Sequence, residues 1–288
     1  MDDWIKAGEI AGKARDFGAK LIKKGEKLIV VTEKVEEKIY ELGGKLAFPT
    51  QISRNEVAAH YNAFVNDETV FDNDIVKIDV GVQINGAIGD TATTIDLTGE
   101  SEALVKASRD ALNNALKIVK PGVKLNEIGR VIQETISNAG FAPIRNLCGH
   151  GLGEYQIHDS PSVPNFDNGD ETELEEGQTI AIEPFASTGS GIVVEGKESE
   201  IYKFLEKKPT RNPMARKVMA FIEEEYNGLP FAKRHLFKKF GNVNLALKLL
   251  ERGGILHQYN QLVDKSKGLV SQAEHSVIVG KKITTKIE

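Results

Sequence analysis

Apolar residues recur every three to four positions over 3–24, at Trp4, Ala7, Ala11, Ala14, Phe17 and Leu21. That spacing predicts a helix with one buried stripe. Gly25 interrupts it, and Val35, Ile39 and Leu42 mark a second helix near 33–43, closed by Gly43-Gly44. Residues 46–65 read as a loop followed by a short strand. The period then changes from helical to alternating. VKIDVGVQINGAIGDTATT, residues 76–94, alternates, turns at Asn85-Gly86 and alternates back, the pattern of a hairpin with a type I′ turn. Two further helices are expected over 101–119, stopped by Pro121-Gly122, and over 124–139, ended by Gly140. Strand-like pieces follow in PIRNLCGHGLG, YQIHDS, TIAIEPFAS and GIVVEG.

From about 203 the texture changes to three short helical patterns, MARKVMAFIEEEY, LPFAKRHLFKKF and VNLALKLLERGG. After Lys267, LVSQAEHSVIVG returns to strand alternation. The sequence therefore predicts one β-rich core over 1–202 and 266–288, interrupted by a helical insertion over 203–265. The two helix pairs, each followed by strands, suggest a repeated helix–helix–sheet unit, although no internal sequence repeat is visible.

Composition narrows the class without naming a function. The chain has 288 residues, 40% hydrophobic and 27% charged, as in ordinary globular proteins. No apolar run is long enough for a transmembrane helix, so no membrane partner is expected. The N-terminus lacks the apolar core of a secretory signal. The single cysteine, Cys148, excludes an intrachain disulfide and suits a reducing, cytoplasmic setting. A net charge of −5 argues against general DNA affinity. That charge is uneven: residues 201–250 hold eleven Lys and Arg against four Glu, a balance of +7, which leaves −12 for the remainder.

The candidate chemistry begins inside the hairpin. With the turn at 85–86, Asp79 lies opposite Ala92, so Asp79 and Asp90 share one face as diagonal neighbours. Two buried carboxylates repel, and a divalent cation removes the conflict. Solvent exposure explains a lone pair of acids equally well, and the hairpin pattern does not choose. Three more residues weigh on the choice. His150 lies between glycines in NLCGHGLGEY, Glu183 in TIAIEPF and Glu274 in VSQAEHSVIV. Glu is rarely set in an apolar strand without a partner. An oxygen-rich set with one imidazole suits Mn, Fe, Co or Zn in a reactive site better than a structural zinc. Cys148 reads as a small packed residue near the site.

Together FPTQISRNEVAAHYNAF, KIDVGVQINGAIGDTATT, PIRNLCGHGLGEYQIH, IAIEPF and SQAEHSVIV resemble the type II methionine aminopeptidases, in order and over nearly the whole chain. The insertion between Glu183 and Glu274 marks type II, and the short N-terminus resembles archaeal members. The resemblance implies an α+β pita-bread fold of two pseudo-symmetric halves. It implies Asp79, Asp90, His150, Glu183 and Glu274 as ligands of two divalent ions. Asp79 would serve one ion, Asp90 and Glu274 would bridge, and His150 and Glu183 would complete the ligands of the second ion. It implies His60, His158 and Glu183 as catalytic groups. Phe48, Ile157 and Tyr259 would line a methionine pocket, and His60 and His158 would bind the substrate at the scissile amide nitrogen and the carbonyl oxygen. The implied substrates are N-terminal Met peptides and nascent chains whose second residue is small, acted on by a monomer. His275 should point to the far face of its strand.

Two other readings share the fold: an Xaa-Pro peptidase such as prolidase or aminopeptidase P, and a non-catalytic homologue that binds RNA or protein. The insertion resembles a winged-helix unit, and Lys233, Arg234, Lys238 and Lys239 form a basic cluster there. Either they make a solvated helix face or they give transient contact with ribosomal RNA.

Overall fold

The computed structural model describes residues 1–287. The first two predicted helices are α1 (Asp2–Leu21) and α2 (Leu28–Glu41). The second begins at Leu28 rather than near 33, because Leu28 and Val31 are buried and extend its apolar face. Three short strands follow, β1 (Lys45–Leu46), β2 (Gln51–Arg54) and β3 (Val57–Ala59). The hairpin is β4 (Ile75–Ile84) and β5 (Ala87–Asp96). Ile84 pairs with Ala87, and Asn85 and Gly86 both have positive φ, at 49° and 89°. A type I′ turn needs that conformation at both central positions. Ile78, Val80 and Val82 of β4 join Ile10, Ala14, Val35 and Ile39 of α1 and α2 in one core.

The second half repeats this plan. Helices α3 (Glu102–Ile118) and α4 (Leu125–Asn138) precede β6 (Ala142–Pro143), β7 (Cys148–Gly153), β8 (Gln156–Pro164), β9 (Thr179–Ile182) and β10 (Phe185–Ser187). Ala111, Ala115, Ile128 and Ile132 of the helices pack with Ile180, Ile182 and Val277. Next come β11 (Val193–Phe204), α5 (Pro213–Tyr226), β12 (Phe231–Ala232), α6 (Lys233–Phe240) and α7 (Asn244–Arg252). The chain then returns through β13 (Leu256–Asp264), β14 (Val270–Gln272), β15 (His275–Ile278) and β16 (Lys282–Ile283). The strand pairings are antiparallel, in the orders β1-β4-β2 with β5 on β4, β14-β10-β6, β12-β11-β13-β3, and β16-β15-β9-β7-β8.

The three insertion helices occupy 213–252 and have their own core of Val218, Ile222, Leu236, Leu247 and Leu250. Asn212 caps α5 by accepting from the Ala215 N–H at 2.9 Å, with Pro213 in the first turn. Residues 256–264, grouped with the helices on sequence, instead form β13, which pairs with β11 and β3. Their apolar run was too weakly alternating to show this.

The basic cluster is divided: Arg234 is turned inward, Lys233 is half-buried, and Lys238 and Lys239 are exposed. Arg234 is 3% exposed and pairs with Glu36, Lys233 pairs with Glu200 and Lys238 with Glu33, each within 2.9 Å. Lys239 sits 3.9 Å over the Phe221 ring. A count of charges along the sequence cannot see partners supplied by α2 and β11.

Candidate active site

Hairpin register sets the first two acids. Asp79 pairs with Ala92 and with Gln51 of β2, and Asp90 pairs with Gly81. Both carboxylates lie on the face turned away from α1 and α2. Gly81 lies between them along that face because the Phe48 ring fills the space where its Cβ would stand, 2.1 Å away.

The two glutamates come from a second register. Ile182 pairs with His275 and Phe185 with Gln272, so the same register sets Glu183 opposite Glu274. Neither lies within a strand, contrary to expectation: each falls in the gap between β9 and β10 or between β14 and β15. Pro184 has no N–H to continue the ladder, and the ladder opens there. The Glu274 N–H still donates to the Ala92 carbonyl, and Thr91 Oγ1 donates to the Glu274 carbonyl. Ser276 Oγ donates to the Asp90 carbonyl and accepts from the Asp90 N–H, both at 2.8 Å. These bonds fasten the hairpin to the second half exactly where the acids meet, so carboxylates far apart in sequence converge.

His150 enters from β7. Its Nδ1 lies 3.2 Å from the Gly151 carbonyl, so that nitrogen carries the proton and Nε2 keeps its lone pair. Nε2 is 3.9 Å from Asp90 Oδ2 and 3.8 Å from Glu183 Oε1. Ligand atoms of Asp90, His150 and Glu274 all lie within 4.8 Å of one another.

The electrostatics are those of a cation site. Burial pushes the Asp79 carboxyl up to about 7. Burial, and then the neighbouring Asp79 charge, raises Asp90 well above the carboxylate range. Glu183 and Glu274 are raised by burial and then by the other acids. Burial lowers His150 to about 4, so its imidazole is neutral. Asp79 Oδ1 and Asp90 Oδ1 are buried without a hydrogen-bond partner among the described residues. Four crowded carboxylates, two orphaned oxygens and a neutral imidazole fit a divalent cation better than any neutral occupant.

This cluster forms the floor of a cavity of about 520 Å³. Every residue named from the sequence lines it: Phe48, His60, Asp79, Asp90, His150, Ile157, His158, Glu183, Tyr259 and Glu274. His60 has φ of 66°; its N–H donates to Gln51 Oε1 at 2.8 Å and its ring meets Tyr259 edge-on. Its Nδ1 is 3.1 Å from the Asn260 carbonyl, which leaves Nε2 as an acceptor. Burial keeps the ring below the ordinary histidine range. His158 packs edge-on to His150 with centroids 4.5 Å apart. It has a solvent-exposed side, yet burial against the wall, and then His150, His60 and Lys203 nearby, hold it down to about 3.

One expectation changes in detail. Cys148 is exposed on the cavity wall rather than packed, on the same face of β7 as His150 two residues further on. His275 faces away as expected, bonded to Thr285 Oγ1 at 2.7 Å. The sequence reading missed Gln272, whose Nε2 reaches Glu183 Oε2 at 3.4 Å and which also bonds Asp79. It missed Gln51, and Asn165, which donates to the Glu183 carbonyl at 3.1 Å. The only signal for Gln272 was its place two residues before Glu274; Asn165 had none.

A carboxylate-rich, histidine-containing centre on a two-half antiparallel scaffold defines the chain as a metal-dependent hydrolase candidate. The chain belongs to metallopeptidase family M24, whose model matches residues 3–227. It is 48% identical over 281 residues to a methionine aminopeptidase of Thermococcus onnurineus, covering 96% of this chain and 95% of that one. It is 44% identical over 286 residues to one of Methanocaldococcus jannaschii, covering 98% and 97%. A crystal structure of methionine aminopeptidase from Thermotoga maritima superposes with a TM-score of 0.73 at 25% identity, covering 99% of this chain and 96% of that one. The expected pita-bread fold is therefore present. Prolidase from Pyrococcus furiosus shares the fold at 21% identity and a TM-score of 0.60, but this chain covers 64% of it.

Proposed function

We propose that the chain is a methionyl aminopeptidase, which hydrolyses the first peptide bond of chains that begin with methionine and have a small second residue. One observation carries the reading: a single cavity joins the cation-binding floor to an apolar wall of Phe48, Ile157 and Tyr259. Archaeal relatives bearing that name, at 40–48% identity, support it. Asp79, Asp90, His150, Glu183 and Glu274 would hold two divalent ions, drawn from Co, Mn, Fe or Zn.

Bound ions supply positive charge that lowers the pKa of water towards neutrality and polarises a carbonyl. The side chains do the rest. Phe48, Ile157 and Tyr259 take the methionine side chain and exclude water from it. Glu183 takes the proton released by the attacking water and relays it to the departing amine. His158, neutral at pH 7, donates to the oxygen of the tetrahedral centre. His60 Nε2 faces the scissile amide and fixes its orientation.

The helices within 213–252 form a subdomain inserted between β11 and β13 of the catalytic body. The enzyme acts as a cytoplasmic monomer; among the described residues no helix is long and apolar enough to cross a membrane. Contact with a ribosome would use the exposed Lys238 and Lys239 of α6 with Lys248 and Arg252 of α7, while Arg234 is buried and takes no part.

Turnover of Met-Ala-Ser by metal-free protein, with each ion added in turn, tests this reading. Release of methionine only when a divalent ion is present is expected. Cleavage of an Xaa-Pro dipeptide in preference would replace the reading with prolidase chemistry.

A further inference from the structure

We propose that the buried Arg234–Glu36 pair is a positioning device for His60, which makes the inserted helices part of the catalytic frame. The inference rests on the catalytic reading of His60 given above.

Arg234 begins α6, and Glu36 lies on α2 in the N-terminal half. The guanidinium grips the carboxylate with two bonds, Nη1 to Oε2 at 2.9 Å and Nη2 to Oε1 at 2.8 Å. Both side chains are withdrawn from solvent, at 3% and 8% exposure. His235 Nε2 also meets Glu36 Oε2 at 3.0 Å. A planar, bidentate grip of this kind fixes direction as well as distance.

The remaining bonds point to the site. Arg234 Nε donates to the Ala63 carbonyl at 3.3 Å and Nη2 to Asn62 Oδ1 at 3.5 Å. Glu36 Oε1 accepts the Thr50 N–H at 3.3 Å. Thus one ion pair holds both segments that cross beside the cavity, 48–51 and 60–63. Those segments are already bridged, since Asn62 pairs with Gln51 and the Gln51 side chain accepts the His60 N–H. His60 itself sits at a φ of 66°, a conformation that a side-chain-bearing residue keeps only when its surroundings impose it. No helix of the N-terminal half supplies the donors to Asn62 and Ala63; the insertion does.

A fold role alone would make Arg234 matter equally with or without His60. A positioning role makes the two effects overlap. The test is therefore a cycle of R234K, H60A and the double variant, assayed for kcat and KM on Met-Ala-Ser with metal content matched. R234K keeps the charge and loses the fork. In the wild-type background it should lower kcat by about 10- to 100-fold with little change in KM, since small misplacement of a reacting group is costly. In the H60A background it should change kcat little. The His60 imidazole resonance of metal-free protein, assigned by its loss in H60A, should shift or broaden in R234K. R234M/E36M, which leaves no lone buried charge, should stay folded and show the same kcat loss.

An equal R234K effect in both backgrounds, or folded R234K with full activity and an unmoved His60 resonance, overturns the proposal. If H60A alone leaves turnover unchanged, the catalytic reading of His60 fails first and this proposal falls with it.

Discussion

Asp79 shows how much one side chain depends on its surroundings. In water it would ionise near pH 4. In the folded chain burial holds its carboxyl up to about 7, so folding favours its protonated form. The stability this contributes is fully present below the unfolded pKa and is lost as pH rises towards about 7. His150 acts in the opposite sense: its lowered pKa destabilises the folded state as pH falls below the ordinary histidine value. The two slopes mask each other in the native chain, so the comparison must be between variants. In metal-free protein, Asp79→Asn should gain stability relative to the native residue as pH is raised from 4 to 7, read by urea denaturation at each pH. With Mn present the order should reverse, because the carboxylate then has its partner. His60→Ala offers a second reading at this scale. It should reduce kcat by about 100-fold or more with bound metal unchanged, as expected for loss of a group that touches the reacting amide.

At the scale of elements, the hairpin and the glutamate ladder each do one geometric task. β4 and β5 set two acids on one face, and the facing gaps at Glu183 and Glu274 set two more against them. Gly81 shows how closely the hairpin is fitted, since a Cβ there would meet the Phe48 ring at 2.1 Å. Gly81→Ala must push that ring into the cavity. It should raise KM for Met-Ala-Ser several-fold and lower stability by about 1–3 kcal/mol, checked by steady-state kinetics and denaturant unfolding. An unchanged KM would mean that Phe48 does not shape the pocket. Much of this level was legible in the chain. Asn85-Gly86 fixed the hairpin register because only a short list of residues accepts positive φ twice in succession. The opening of the ladder at Pro184 was not read, because apolar neighbours on both sides made the segment look like one strand.

The whole molecule joins two helix-flanked halves and one helical insertion around a shared cavity. Its interior carries an ion pair where an apolar contact would be cheaper. Glu36 is held down to about 2, opposed by its burial and lowered by His235 and Arg234. Removing one partner leaves the other buried and charged. Glu36→Gln should therefore cost about 3–5 kcal/mol, while the double replacement by methionine recovers most of that loss, as read by urea denaturation. Single and double variants of equal stability would show that water reaches the pair.

Sequence alone determined the local geometry and pointed to the acids and His150 of the candidate site. Periodicity gave the helices, alternation and Asn85-Gly86 gave the hairpin, and glutamates in apolar strands flagged the cation site, since each of these is a property of neighbours along the chain. Assignment of His60, His158, Phe48, Ile157 and Tyr259 needed the family resemblance, because nothing in their local pattern distinguishes them. What Gln272, Asn165 and Arg234 touch was decided by tertiary structure. Hydrogen bonds and ion pairs depend on distances in space, and Arg234 meets Glu36 across 198 positions of chain. A residue counted as surface charge on the sequence became, in the fold, a buried link between the insertion and the site.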